Sequence, residues 1–475
     1  MEILQDKLTD LHSFNVGDVI VDDKIYAGST IEILASAFYD IFKDSENDYI
    51  VLYDEKSIYT FSSVLASIMC KKTFVLVPVS MDKENKAAIM RDLDVDYIYD
   101  GAALEELISS KKDSQIVDFR NLLTNGNWSS ENYISYILYT SGTTGVPKGV
   151  VMSFDAVYNT FISLKEMYNI TSTDVVINLA RWSFDLSIFD FFCTFFLGTK
   201  MVCVKDSKNV QKIHDMLVKH RVTIWNSTPQ VIGMYMRYLD LFNKKQNKNL
   251  RLILVSGDKF EKYNCELIQR YTDGAKIISL GGATECAIWS VYYDCTDGFS
   301  ESYAPYGYAL PNQKVELDYL DNQEGEIVIL GKGLAEGYYK NDIKTYEHFK
   351  TEKGVRKYYT GDIGYFDSKG CLYIKGRKDS QVKINGKRYK LDEISKMFSI
   401  SGTQNPVCLA NDAKTKIGVF IKEGSLSKEE IERIIENSLL KEILNIRDVI
   451  QLSEFPITRN GKIDNNALKG LWYGK

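Results

Sequence analysis

The sequence predicts an α/β protein: a large N-terminal domain of layered α/β sheets with a small β subdomain, followed by a small C-terminal α+β domain. Its 475 residues are enough for two to four domains at roughly 100–200 residues each. Three observations carry the prediction. Up to about Tyr303, apolar runs rich in Val, Ile and Tyr alternate with amphipathic segments, the pattern of parallel strands with crossover helices. The first of these runs, Tyr49 to Tyr53, Thr73 to Val77 and Asp96 to Tyr99, read as buried strands. The pattern continues through Tyr133 to Tyr139, Asp174 to Asn178, Leu252 to Ser256 and Lys276 to Leu280. Beyond Tyr303 the texture changes to short strands and glycine turns, as in GEIVILGKG, which predicts the β subdomain. The remainder forms the third observation. Ser427 with Glu430 is a capping box, and Ile431, Ile434, Ile435 and Leu439 follow at helical spacing. Strand-like runs at Pro406 to Leu409 and Lys416 to Lys422 flank that helix. The division is expected in the charged segment GRKDSQ, giving a large domain over 1–378 and a small one over 379–475.

Composition removes several classes of function. The chain is 45% hydrophobic, 26% charged and 12% aromatic, which is globular composition with material for a large core. A net charge of −6 supplies no overall electrostatic case for nucleic acid or an anionic membrane, so neither is an expected partner. The eight cysteines are scattered, with no CxxC spacing, and read as reduced, buried small hydrophobes. The four histidines lack HxxxH spacing, which argues against a zinc site. The N-terminus carries early acids and no apolar h-region, and Phe189 to Leu197 falls short of the ~20 residues of a spanning helix. A cytoplasmic protein is expected.

The densest chemical signal is Tyr139 to Gly149, YTSGTTGVPKG, between two apolar strands. Its glycines permit unusual backbone angles, and its Ser, Thr and Lys side chains donate to anionic oxygens. A Walker A loop cannot be placed on it. Further along come SFDLS at Ser183 to Ser187, GGATE at Gly281 to Glu285, GEI at Gly325 to Ile327, Gly337–Tyr338, and YTGD at Tyr359 to Asp362. GRKDSQVKING at Gly376 to Gly386 and NGKID at Asn460 to Asp464 complete the series.

In that order, from Tyr133 to Leu468, these segments resemble the adenylate-forming enzymes: acyl- and aryl-CoA synthetases, luciferases and nonribosomal peptide synthetase adenylation domains. The resemblance implies an AMP-forming ligase, with ATP as substrate and Mg2+ as cofactor. It assigns phosphate binding to Thr140, Ser141, Gly142, Thr143, Thr144, Gly145 and Lys148. Gly282 and Ala283 would line the adenine, Thr284 would bond the α-phosphate, and Glu285 would bind the metal. Asp362 would hold the ribose hydroxyls and Arg377 the ribose and phosphate. Asp379 would be the hinge about which the small domain turns, and Gly386 would lie near the tunnel for the acceptor thiol. Lys462 would bridge carboxylate and phosphate oxygens. A lysine point charge there makes chemical sense, because a carboxylate must attack a phosphate and two anions must approach.

The chain departs from the family pattern at four places. Gly281 stands where an aromatic often stacks on adenine, Phe154 where many relatives carry His, Tyr308 where Arg is frequent, and Lys390 where an acid is usual. Asp185 decides the substrate class: in amino-acid-activating relatives this acid binds the α-ammonium, whereas the alternative is a cap on the following helix. The pocket implied by the resemblance is Asp185, Leu186, Phe189, Asn226, Leu254, Ser256, Leu280, Ile288 and Trp289. It is apolar and small, with Asn226 and Ser256 its only neutral polar members. The set closely resembles that of cysteine-activating domains, with serine, threonine or a small aliphatic amino acid as runner-up. Only 11 residues follow Asp464, and neither a phosphopantetheine-attachment motif nor a condensation motif is present. The expected protein is a free-standing enzyme that loads its amino acid, best read as L-cysteine, onto a separate phosphopantetheinylated carrier protein. An acyl- or aryl-CoA synthetase is a second reading, and a catalytically silent adenylate-binding regulator a third.

Overall fold

The computed structural model describes residues 15–109, 133–141, 147–244, 247–319, 323–378, 381–384, 387–399, 405–411, 415–436, 440, 443–458 and 463–474. By packing, the chain forms two compact units. The first is Met1–Phe299, Tyr306–Glu316 and Val328–Thr360; the second is Ser300–Pro305, Leu317–Ile327 and Gly361–Lys475. Asp379, the expected hinge, lies outside the described residues.

In the first unit, the apolar runs become strands because continuous Val and Ile suit a sheet covered on both faces. A nine-stranded sheet runs in the order Tyr308–Ala309, Val291–Asp294, Lys276–Gly281, Leu252–Ser256, Ile224–Ser227, Val175–Asn178, Lys200–Cys203, Val19–Val21 and Lys24–Tyr26. From Lys276–Gly281 to Val19–Val21 its pairings are parallel. A five-stranded sheet runs Gly337–Tyr338, Pro147–Ser153, Ile134–Ser141, Thr73–Val77 and Tyr49–Tyr53. The expected strand at Asp96 to Tyr99 is reduced to one bridge, Tyr99 with Leu52. Tyr99 still closes the edge through two backbone bonds, Tyr53 N to Tyr99 O and Tyr99 N to Val51 O.

The expected β subdomain is a five-stranded sheet in the order Gln313–Tyr319, Gly325–Gly331, Val355–Phe366 and Phe349–Glu352, with Leu372–Arg377 also pairing Val355–Phe366.

The second unit carries the predicted α+β segment. Val407–Ala410, Ile417–Lys422 and Val449–Leu452 form its sheet, antiparallel then parallel. Alternation along the central strand sends Ile417, Val419 and Ile421 to one hydrophobic cluster and Phe420 to another with Trp472. The capping box closes as expected: Ser427 N donates to Glu430 Oε2 at 2.8 Å, and Glu430 N donates to Ser427 Oγ at 3.2 Å. Leu439, expected to extend that helix, lies outside the described residues. All eight cysteines are free thiols. Among the described residues no helix is long and apolar enough to cross a membrane.

Candidate active site

Four of the predicted pocket residues, Asn226, Leu254, Ser256 and Leu280, share one sheet face because of register. Asn226 pairs beside Leu254, and Ser256 beside Leu280, on neighbouring parallel strands. Residues two apart on a strand face the same way, so all four side chains project together near the strands' carboxyl ends. That is where open α/β sheets bind ligands. The helix Leu186–Leu197 covers this face, with Asn226 Nδ2 donating to Leu186 O at 3.1 Å. Its Phe189 ring meets Trp289 edge-on, centroids 5.2 Å apart. All nine predicted pocket residues are at most 5% exposed. Asn226 Oδ1, Ser256 Oγ and Trp289 Nε1 are buried and find no hydrogen-bond partner among the described residues. Unmet buried atoms of this kind call for a partner, water or ligand, that the chain itself does not supply.

Asp185 occupies the cap position of the helix Leu186–Leu197, but its side chain makes no capping bond. Its Oδ2 instead accepts from Thr284 Oγ1 at 2.6 Å, tying the predicted ammonium-binding acid to the GGATE turn. The helix-cap alternative is thereby removed. The Thr284 hydroxyl proton is engaged by Asp185, so the expected bond to an α-phosphate requires that hydroxyl to turn.

The turn itself is tightly folded. Ala287 and Ile288 both hold positive φ, 50° and 74°, a conformation that costs a β-branched residue about 1–3 kcal/mol. The bend returns Trp289 to the pocket: Ser290 N donates to Gly281 O at 2.8 Å, and a Cβ on Gly282 would lie 2.7 Å from Ile288 O. Gly281 has a different constraint. A Cβ there would lie 2.0 Å from Cε2 of Tyr306, whose half-exposed ring covers the glycine. The aromatic absent at position 281 is thus replaced in space by one from position 306. The sequence reading missed Tyr306, although an aromatic-free GGATE followed downstream by PYG at Pro305 to Gly307 was there to be compared.

A second group gathers at Glu285. Tyr338 Oη donates to its Oε1 at 2.8 Å, and the Lys148 ammonium lies 5.5 Å from the Tyr338 ring centroid. Pairing of Gly337–Tyr338 with Val151 and Val150 places Tyr338 here. Burial, with the nearby Lys344, lowers the Lys148 pKa. Tyr338 was quoted as part of a motif but not assigned to the site. Thr140 Oγ1 contacts Lys148 O at 3.5 Å. The side chain of Ser141, residues Gly142, Thr143, Thr144 and Gly145, and Lys462 and Gly386 lie outside the described residues. The side chain of Lys390 does so too.

In the second unit, Asp362 and Arg377 are cross-strand partners, with Arg377 Nη1 3.3 Å from Asp362 Oδ1. Gly361 is at φ +75°, and a Cβ there would meet Arg377 Nη2 at 2.8 Å, which explains the glycine of YTGD. Glu326 accepts from Gly361 N at 3.0 Å and pairs with Lys378 at 2.7 Å. Of the other departures, Phe154 is a core residue stacked on Tyr158 at 5.7 Å, and Tyr308 is 40% exposed.

Beside the predicted pocket lie two buried ionisable residues that the sequence reading did not find. Lys56 Nζ donates to Asn178 O at 3.0 Å and Val204 O at 2.8 Å. Asp190 accepts from Asn226 Nδ2 at 3.0 Å and from Asn178 Nδ2 at 2.8 Å. Burial pushes the Asp190 carboxyl up to about 7, against the pull of both amides and Lys56, and pushes Lys56 down to about 8.

Among the described residues no three His, Cys, Asp or Glu side chains gather to hold a metal. Magnesium, however, needs only one or two carboxylates when phosphates and water complete its shell. Glu285, half-buried with one oxygen oriented by Tyr338, fits that role.

Three comparisons bear on this geometry. The chain is 33% identical over 432 residues to the anguibactin system regulator of Vibrio anguillarum, covering 83% of this chain and 40% of that protein. It thus spans about 40% of the length of that relative. To the D-alanine--D-alanyl carrier protein ligase of Lactococcus lactis it is 27% identical, covering 88% of each. Its fold matches ATP-bound MatB from Rhodopseudomonas palustris with a TM-score of 0.80 at 17% identity, over 99% of this chain and 98% of that one.

Two predictions follow from the geometry. Gly281→Tyr should lower the melting temperature, and Tyr306→Ala added to it should restore most of the loss, because both rings claim one volume. Additive losses in the double variant would show that the two positions do not compete.

The second concerns pH. The unfolded Asp190 carboxyl releases its proton near pH 4, while the folded one keeps it to about 7, so this group's stabilisation fades as pH rises through 7. Folded Lys56 loses its proton near 8 and unfolded Lys56 near its ordinary 10.5, so stability recovers as pH rises from 8. The denaturant midpoint of wild type relative to Asp190→Asn should therefore fall from pH 5 to 7. A constant difference across that range would show that Asp190 does not titrate there.

The family model for AMP-binding enzymes matches residues 34–339, well over half of the chain, and the protein belongs to the AMP-binding enzyme family.

Proposed function

We propose that the protein joins an amino acid to ATP, forming aminoacyl-adenylate and pyrophosphate, and then passes the aminoacyl group to the thiol of a phosphopantetheinylated carrier. The observation that carries this reading is Asp185, a carboxylate 5% exposed and bonded to Thr284 of the nucleotide turn rather than to its own helix. An acyl or aryl acid offers nothing for such a carboxylate to bind, whereas an α-ammonium does. The Lactococcus lactis relative, a D-alanyl carrier protein ligase by name, supports an amino acid and a carrier as the substrate classes.

In the first step a carboxylate oxygen attacks the α-phosphorus, and the bond to the bridging oxygen breaks as pyrophosphate leaves. Asp185 orients the ammonium, and Lys462 neutralises the two converging anions. Glu285 would hold magnesium, which supplies charge neutralisation on the phosphates when bound. Lys148 and the loop before it guide the pyrophosphate, and Asp362 with Arg377 holds the ribose. Tyr306, lying over Gly281, presents the aromatic surface to the adenine. In the second step the carrier thiolate attacks the carbonyl carbon and AMP leaves, with the small domain turning about Asp379 between the steps. The apolar walls around Asn226 and Ser256 favour L-cysteine, since a thiol is less costly to desolvate than a hydroxyl.

Pyrophosphate exchange screened over the common amino acids tests the reading: cysteine should give the highest kcat/KM, and a lead by serine or valine would overturn the cysteine assignment. Lys462→Ala should reduce kcat for adenylation by about 10²–10³ or more while the fold stands, the scale of losing a charge that acts in the transition state. Near-wild-type adenylate formation by that variant would remove Lys462 from the mechanism. Asp185→Ala should cost about 3–5 kcal/mol in amino-acid kcat/KM, as for breaking a buried charge pair, with ATP KM nearly unchanged. Equal losses for both substrates would return Asp185 to a structural role.

A further inference from the structure

The hydrogen-bond polarity of the pocket is set from below. Asn226 is 1% exposed, and both hydrogens of its amide are spent, on Leu186 O at 3.1 Å and Asp190 Oδ1 at 3.0 Å. Its Oδ1 is buried and finds no partner among the described residues. The direction of these bonds is fixed by a group that can only donate. The Trp182 indole donates to Asn178 Oδ1 at 3.0 Å, so Asn178 must turn its Nδ2 to Asp190 Oδ2, at 2.8 Å. Asp190, 0% exposed, is left with its other oxygen for the Asn226 amide. Turning the Asn226 amide around would set its oxygen against a carbonyl and a carboxylate.

We infer that Asp190 is a positioning residue that holds Asn226 as an acceptor and nothing else, so that the pocket selects an amino acid whose side chain donates a hydrogen bond. The inference rests on the proposed amino-acid activation and narrows it. Among small side chains the cysteine thiol and the serine hydroxyl can donate, while 2-aminobutyrate, alanine and valine cannot. 2-Aminobutyrate nearly copies the shape of cysteine, so comparing the two isolates the bond. A buried acceptor left unmet by the wrong substrate should reduce kcat/KM by about tenfold or more.

The test measures kcat/KM for cysteine, serine and 2-aminobutyrate by pyrophosphate exchange at pH 8, on the full chain. Wild type should prefer cysteine to 2-aminobutyrate by about tenfold or more. Asn226→Leu, close in shape but without the acceptor, should bring that ratio within about threefold of one. Asp190→Asn leaves one oxygen to serve two amide donors, freeing Asn226 to turn, and should also lower the ratio. Each ratio is taken on one protein sample, so a loss of folded material cancels. If Asp190 were merely structural, its variant would lose activity toward all three substrates and keep the wild-type ratio. If Asp190→Asn does not fold, the Asn226→Leu ratio decides the role of the acceptor. A wild-type ratio near one, as a resident water on Asn226 would produce, overturns the inference while amino-acid activation stands. So does an unchanged ratio in Asn226→Leu. Exchange with no amino acid at all overturns the proposed function and this inference with it.

Discussion

Two buried ionisable side chains, Lys56 and Asp190, tie together the elements around the predicted pocket. Lys56 follows the last strand of the five-stranded sheet and donates to carbonyls at the carboxyl ends of two strands of the nine-stranded sheet. Asp190 lies on the helix that covers the latter and binds the amides of Asn178 and Asn226. Burying such groups is costly, and the cost is offset only when every donor and acceptor is met. That requirement fixes the two sheets against each other and orients Asn226 at once. Asp54 reinforces the same joint: it accepts from Ser183 at 2.6 Å and Val79 N at 2.9 Å and pairs with Arg181 at 3.1 Å, holding the segment that leads to Asp185.

Rigidity there allows strain elsewhere. The turn after Gly281 must leave a parallel strand, pass Thr284 and Glu285 outward and return Trp289 inward within a few residues. It does so with left-handed backbone at Ala287 and Ile288 and with glycines where backbone or ring comes closer than a Cβ permits. Strain of this kind persists only where the surroundings over-determine the conformation. Here they do: Ser290 N is bonded to Gly281 O, Ala335 N to Glu285 O, and Gln313 Nε2 to Trp289 O.

Much of this was legible because the signals were local. Strand runs, the capping box and the order of motifs are properties of short segments, and they placed the sheets and the α+β segment and named the residues of a candidate pocket. The Asp96 to Tyr99 strand was overread because an apolar run states that a segment is buried, not how many ladder bonds it makes. What stayed hidden depended on distant pairings. Tyr306 substitutes for an aromatic at 281 only because Lys276–Gly281 and Tyr308–Ala309, the strand that Tyr306 precedes, both pair with Val291–Asp294. Lys56 and Asp190 are 134 positions apart by their numbers and carry no motif, so neither could be recognised as half of a buried network. Tyr338 stood in a quoted motif, but its bond to Glu285 arises from pairing with Val150.

On the proposed reading, these constraints act on one zwitterion. An α-amino acid holds its ammonium and carboxylate on the same carbon, so fixing the ammonium at Asp185 sends the carboxylate away from that negative charge. The side chain, the third substituent, is directed to the sheet face of Asn226 and Ser256. Because Asp185 is bonded to Thr284, the point that fixes the ammonium is one residue from Glu285, where magnesium and phosphate would be held. The distance over which carboxylate and phosphorus must be brought together is then set by a single rigid turn rather than by two independent sites. Positioning of that kind replaces a bimolecular search with a local approach. The repulsion between the two anions is the part the turn cannot remove, since its own nearby acids are negative. Neutralising that repulsion requires a cation brought from elsewhere in the chain, which is the chemistry a lysine at 462 would supply.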